Sequence, residues 1–289
     1  MIPADPPFEV APLLRLERAR VLELLRGLDE AAWSRPTPCP AWDVHELVLH
    51  IVGTDLGTVS WLRDAHRGSS PPPDVDGEGF IAWLDALQLE WVTGARRISP
   101  RLAVELLGLL GASVAETIAA RDPAVLDAHV SWASDLVVPR WLDHGRELTE
   151  YWIHRQQIRE ALGHATDGRA DLLEPVLEIL LWAVPHHLPD PRYRHVGDPE
   201  VRVVEVRCVD LDSLRSTYRS DDRSWHRVEA AAAAPDAVVA GSAEQLWRWL
   251  TNNLSTHDAV AAHGFPEMSG AADLVEALRR TRAIVGTPK

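Results

Sequence analysis

Cysteine is almost missing from this chain, and lysine more so. Only Cys39 and Cys208 occur, far apart in sequence, so no disulfide framework is expected and a reducing cytoplasm is the expected compartment. Lysine appears only as Lys289 while arginine is abundant, a bias that fits a high-GC bacterial genome. Basic charge is scarce overall: the formal net charge is -14 over 289 residues, which excludes a nucleic-acid surface and docking on anionic lipid. Long unbroken apolar runs are also lacking. Stretches such as "ILLWAV" (179–184) are too short to span a bilayer, so no membrane association is expected. The opening "MIPADPPFEV" has neither a basic n-region nor an apolar h-region, so a secretory signal is not expected there. No glycine-rich phosphate loop, nucleophile elbow or CxxC motif is present.

What is there is helical in its larger part. Residues 11–31 repeat leucine at helical spacing (Leu14, Leu22, Leu25, Leu28), predicting an amphipathic helix. Pro36, Pro38 and Pro40 then break the chain, and Asp43 with Glu46 stands in capping-box spacing before a second helix reaching about Arg63. Further helices are predicted at about 79–98, 100–120, 136–163 (with Gly163 as its stop) and 170–187, with no strand before residue 195. Alternation in "EVRVVEVRCVD", "SLRSTYRS", "SWHRVEA" and "DAVVAG" then predicts short strands. Helices "AEQLWRWLTNN" and "GAADLVEALRRTRAIV" follow. The expected fold class is therefore α plus α+β: a helical bundle over 1–190 and a smaller α+β domain over 191–289, joined near 188–198.

Chemistry concentrates on two helices. "TPCPAWDVHELVLHIVGTD" (37–55) places His50 at the edge of an arc formed by Val44, Leu47, Val48, Ile51 and Val52. Gly53 and Gly57 share its stripe, at about 1 kcal/mol each relative to alanine, which clears surface for a ligand or a closely packed helix. A later helix carries Glu150 and His154 four apart, with Glu147 and Gln157 on the same face. A carboxylate and an imidazole at that spacing can both reach one divalent ion. Glu46/His50 and Glu160/His164 share the spacing, however, and a half-buried histidine at a helix crossing explains His50 as simply as a ligand does. The residues alone leave both readings open. Trp141, Trp152 and Trp182 sit at core spacing, and His186, His187 and His195 cluster in a loop-like stretch without rigid geometry.

The combination resembles a known family. "LDEAAWSRPTPCPAWDVHELVLHIVGTD" (28–55), "WVTGARRISPR" (91–101) and "ELTEYWIHRQQIREALG" (147–163) look like the mycothiol-dependent maleylpyruvate isomerases of actinobacteria, within the DinB-like superfamily of four-helix bundles. "VVAGSAEQLWRWL" (238–250) resembles that family's sterol-carrier-like C-terminal domain. The resemblance implies a metal triad of His50, Glu150 and His154, suited to zinc or another divalent metal such as nickel with a coordination position left open. It implies mycothiol as cosubstrate, its thiol held by the metal as thiolate and added to a small electrophile, ending in isomerisation or thiol transfer. Glu147, Gln157 and Arg248 become candidates to support the ligands or the substrate, and Cys39 a small packing residue of the turn. The chain also departs from the family. "WLTNNLSTHD" replaces the family's Gly-Arg turn, and Gln157 stands where many relatives carry aspartate. Those departures keep a second expectation alive, a non-catalytic metal-binding or small-ligand-binding module.

Overall fold

A computed structural model describes residues 2–39, 42–70, 72, 77–193, 201–229, 233–254 and 256–283. Contacts divide the chain into two compact units. One holds Pro7–Pro123 and Glu147–Asp167, and the other chiefly Ala124–Arg146 and the chain from Gly168 onward. The class expected from sequence, α plus α+β, is the class observed.

The first unit is built on α1 (Val10–Arg26), α2 (Val44–Leu62), α3 (Gly77–Ala95), α4 (Pro100–Ala119) and the larger part of α5 (Arg140–Ala161). α1 stops at Arg26, earlier than predicted. Gly27 ends it, and a 3-10 turn, Ala31–Ser34, takes over. The α2 start is the capping box read from sequence: Asp43 accepts from the Glu46 N–H while Glu46 accepts from the Asp43 N–H. Gly163 stops the last helix in the left-handed region, at φ +75.

Two predictions need correction here. α4 is long and apolar enough to cross a membrane by length and composition, with a mean hydropathy of 1.7. Glu105 and Glu116 interrupt its apolar runs without lowering that mean much, so no unbroken apolar run marks it. Its Ala103, Leu107, Val114 and Ile118 are buried where α4 packs on α1 and α2. The absence of strands before residue 195 also fails. β1 (Leu126–Ala128) pairs antiparallel with β2 (Val138–Pro139), so α5 begins at Arg140 rather than near 136. Such a short ladder carries too few residues to show alternation.

In the second unit the predicted helix over 170–187 is two, α6 (Ala170–Leu180) and α7 (Ala183–His187). His186 and His187 close α7, and His195 lies outside the described residues. A five-stranded sheet runs β5 (Trp225–Val228), β4 (Arg215–Ser220), β3 (Val203–Cys208), β6 (Ala237–Gly241), β7 (Glu267–Gly270), with only the β3–β6 pair parallel. α8 (Ala243–Leu250), α9 (His257–His263) and α10 (Ala272–Arg280) complete it; α9 and β7 were not foreseen. Trp247 and Trp249 of α8 are fully buried, and the Tyr218 hydroxyl donates to the Leu181 carbonyl at 2.7 Å. Gly270 allows β7 to lie tight on β6. Its φ is +118, and a Cβ there would sit 2.1 Å from the Asp236 carbonyl oxygen.

Candidate metal centre

Helix packing in the first unit brings together three donors far apart in sequence. One ligand atom from each of His50, Glu150 and His154 lies within 4.8 Å of the others. The two imidazole rings meet edge to face with centroids 4.9 Å apart. His154 Nε2 and Glu150 Oε1 are 4.0 Å apart, too far for a hydrogen bond, and His154 Nε2 is buried without a hydrogen-bond partner among the described residues. A buried nitrogen with nothing to accept or donate costs about 1–3 kcal/mol, so such a group points to a missing ligand. The donor set of two imidazoles and one carboxylate fits a borderline-soft divalent cation.

The turn before α2 builds one wall of this cluster. The Thr37 hydroxyl donates to the Trp42 carbonyl at 2.7 Å, the Trp42 N–H donates to the Cys39 carbonyl, and Pro36 bridges Asp43. That fold-back stacks the Trp42 indole on the His50 ring, with centroids 4.7 Å apart and planes 25° apart. It also aims the Cys39 thiol at Gln157 Oε1, at 3.1 Å. Cys39 is not among the clustered donors. Burial, and next the Glu150 carboxylate, push its thiol up to about 12.

His50 is more enclosed than its place on the helix edge suggested, at 7% exposure. Burial first, then the neighbouring His154, lowers its pKa to about 3, so the ring is neutral and has a lone pair to offer. Its Nδ1 bonds to Gln88 Oε1 on α3, at 3.1 Å. His154 Nδ1 bonds to Gln157 Oε1, at 2.8 Å. Gly53 does not clear a ligand groove. A Cβ there would meet the Trp91 Nε1 at 2.4 Å, and that indole donates to the Leu49 carbonyl, so the glycine seats α3 on α2. Around Gly57 no such atom lies within 4 Å among the described residues.

A buried charge network joins α1 to the two helices that carry the cluster. Arg18 donates to Asp55 at 2.8 Å, and the Tyr151 hydroxyl donates to the same Asp55 oxygen at 2.7 Å. Arg155 makes a bidentate pair with Glu17 and reaches Asp167. Tyr151 and Arg155 flank Glu150 and His154 in sequence, so this network fixes the rotation of α5. Burial raises the Asp55 carboxyl above its ordinary range, with Arg18 opposing. Glu147 is buried and its charge acts on Tyr151; it is not one of the clustered donors. Glu46 is spent on its cap and on Arg96, at 2.7 Å. In the second unit, Arg248 is buried and donates to Glu244 at 2.7 Å.

Sequence reasoning missed Gln88 and Trp42. Neither has a local signal: Gln88 reaches His50 only because α3 packs on α2, and Trp42 stacks only once the proline turn folds back.

A family profile decides the kinship. The mycothiol maleylpyruvate isomerase N-terminal domain matches residues 14–159, half of the chain. The chain belongs to that family. The matched span contains all three clustered donors as well as Cys39, Trp42, Gln88 and Gln157. Among solved structures, a crystal structure of the mycothiol-dependent maleylpyruvate isomerase is similar at 17% identity and TM-score 0.49, covering 93% of this chain and 96% of that one. A mutant of that isomerase is similar at 16% identity and the same TM-score, with the same coverage. No curated protein sequence matches the chain.

Proposed function

We propose that this protein is a metal-dependent enzyme that uses mycothiol as cosubstrate, with zinc or another divalent metal held by His50, Glu150 and His154. The observation that carries the reading is the convergence of these donors around the buried His154 Nε2, which has no hydrogen-bond partner among the described residues. A divalent cation bound there would supply the positive charge that favours the ionised form of a thiol. The chain's own residues do the rest. His50 is neutral at cellular pH and keeps its lone pair for a ligand, Glu150 contributes the one formal negative charge of the set, and Trp42 covers one face of His50 against water. Family membership supports mycothiol as the thiol. The thiol would add to a small electrophile, and elimination after rotation gives isomerisation, while displacement of a leaving group gives transfer. The two cysteines are free, in keeping with a cytoplasmic setting. We assign residues 191–289 to a sterol-carrier-like α+β domain on the sequence resemblance, supported by the small mixed sheet with α8 and α10.

One observation favours the second reading, a non-catalytic binding module: Arg248 is engaged by Glu244 and no Gly-Arg turn follows α8. The deciding experiment measures zinc uptake and mycothiol-dependent consumption of a panel of electrophiles, for the wild type and for His154→Ala. Stoichiometric zinc with thiol-dependent turnover, both lost in the variant, supports the enzyme. Zinc-loaded protein that matches the buffer rate across the panel supports the binding module. Wild-type protein that takes up no divalent metal overturns the centre.

A further inference from the structure

We infer that Gln88 and Gln157 are positioning residues that lock both imidazoles in one tautomer, each amide oxygen taking a histidine's Nδ1 proton so that Nε2 keeps the lone pair. The inference rests on the metal-centre reading above and deepens it. An amide oxygen only accepts hydrogen bonds. The contacts from His50 Nδ1 to Gln88 Oε1 at 3.1 Å and from His154 Nδ1 to Gln157 Oε1 at 2.8 Å therefore require N–H at both Nδ1 atoms. In a neutral ring the other nitrogen is then the acceptor, and for His154 that nitrogen is the buried one without a partner among the described residues. The Cys39 thiol points at the same Gln157 Oε1, at 3.1 Å, a second donor placed on that oxygen. Trp42 stacked on His50 limits rotation of that ring, so Gln88 has a held target.

The choice of amide over carboxylate sets the charge of the site. A carboxylate behind a ligating histidine makes the imidazole more basic and passes negative charge toward the ion. Here the partner of each histidine's Nδ1 is neutral, and Glu150 brings the only formal charge among the three donors. A divalent cation there would keep a net charge of about +1, which favours an anionic fourth ligand such as a thiolate. Gln88 acts from a third helix, so the geometry of the centre depends on α3 as well as on α2 and α5.

The test is NMR of the imidazole nitrogens in metal-free protein at about pH 8, above the ordinary histidine pKa, beside zinc competition with a chromogenic chelator. Expected is Nδ1–H at both rings in the wild type. That preference should be lost at His50 alone in Gln88→Leu and at His154 alone in Gln157→Leu, with zinc affinity falling about 10–100-fold in each. Gln88→Glu should keep the His50 tautomer and hold zinc at least as tightly as the wild type. That rescue is one a merely structural role for the side chain would not produce. Nε2–H at either ring in the wild type, or tautomers and affinity unmoved in the leucine variants, overturns the inference. Wild-type protein that binds no zinc overturns the metal reading instead, and the metal-free spectra still decide the tautomers.

Discussion

Arg18 of α1 crosses Gly111 of α4 so closely that a Cβ on residue 111 would lie 2.5 Å from the guanidinium Nε. That passage lets Arg18 reach Asp55 at 2.8 Å and lie over the Tyr151 ring, 4.8 Å from its centroid. Gly111→Ala should therefore cost about 1–3 kcal/mol of stability through overpacking. Arg18→Met should cost more, about 3–5 kcal/mol, because it strands the buried Asp55 carboxylate. Adding Asp55→Asn to Arg18→Met should recover part of that loss. Urea unfolding of the metal-free proteins checks the order; a double variant no more stable than Arg18→Met would show that Asp55 is not the stranded group.

Glu46 has the same spacing to His50 as Glu150 to His154, yet its oxygens are taken by the Asp43 N–H and by Arg96. Glu46→Ala should lose about 1 kcal/mol, the typical worth of a cap contact, and leave zinc content unchanged. Metal analysis showing a loss like that of His154→Ala would mean that Glu46 belongs to the centre.

Gly53 seats Trp91, and Gln88 lies one helical turn before Trp91 on the same helix. Gly53→Ala would push the indole away and carry Gln88 off His50. Weaker zinc binding in this variant is the expected outcome, although residue 53 is not one of the three proposed donors. Unchanged zinc affinity, measured by chelator competition, would show that α3 yields without moving Gln88.

Asp221 accepts the N–H groups of Arg223 and Ser224, each at 2.7 Å, and lies 2.7 Å from His226 Nε2. Those backbone bonds first, then His226, lower its pKa from 3.8 to about 2. The folded value lies below the unfolded one, so the stability this turn contributes is full above about pH 4 and is lost as pH falls through about 2. A carboxyl titration by NMR should show the low midpoint, and Asp221→Asn should flatten stability across that acid window. A midpoint near 4 would show that the turn does not hold the carboxylate in solution.

Sequence by itself determined whatever depends on residues close in the chain. The leucine period gave α1, the Asp43–Glu46 spacing gave the start of α2, and Gly163 gave the end of α5's turn, because caps and periodicity are local physics. The i, i+4 spacing also put Glu150 and His154 on one face, and the resemblance singled out His50 as their companion. Whether these met was not decided by spacing, since Glu46/His50 and Glu160/His164 have it too. The tertiary structure decided that. The buried Arg155–Glu17 pair ties α5 to α1 and the Tyr151–Asp55 bond ties it to α2, and Gly53 lets α3 bring Gln88 to His50. Cross-helix distances follow from packing, and no pattern along one segment records which neighbour its side chains will meet.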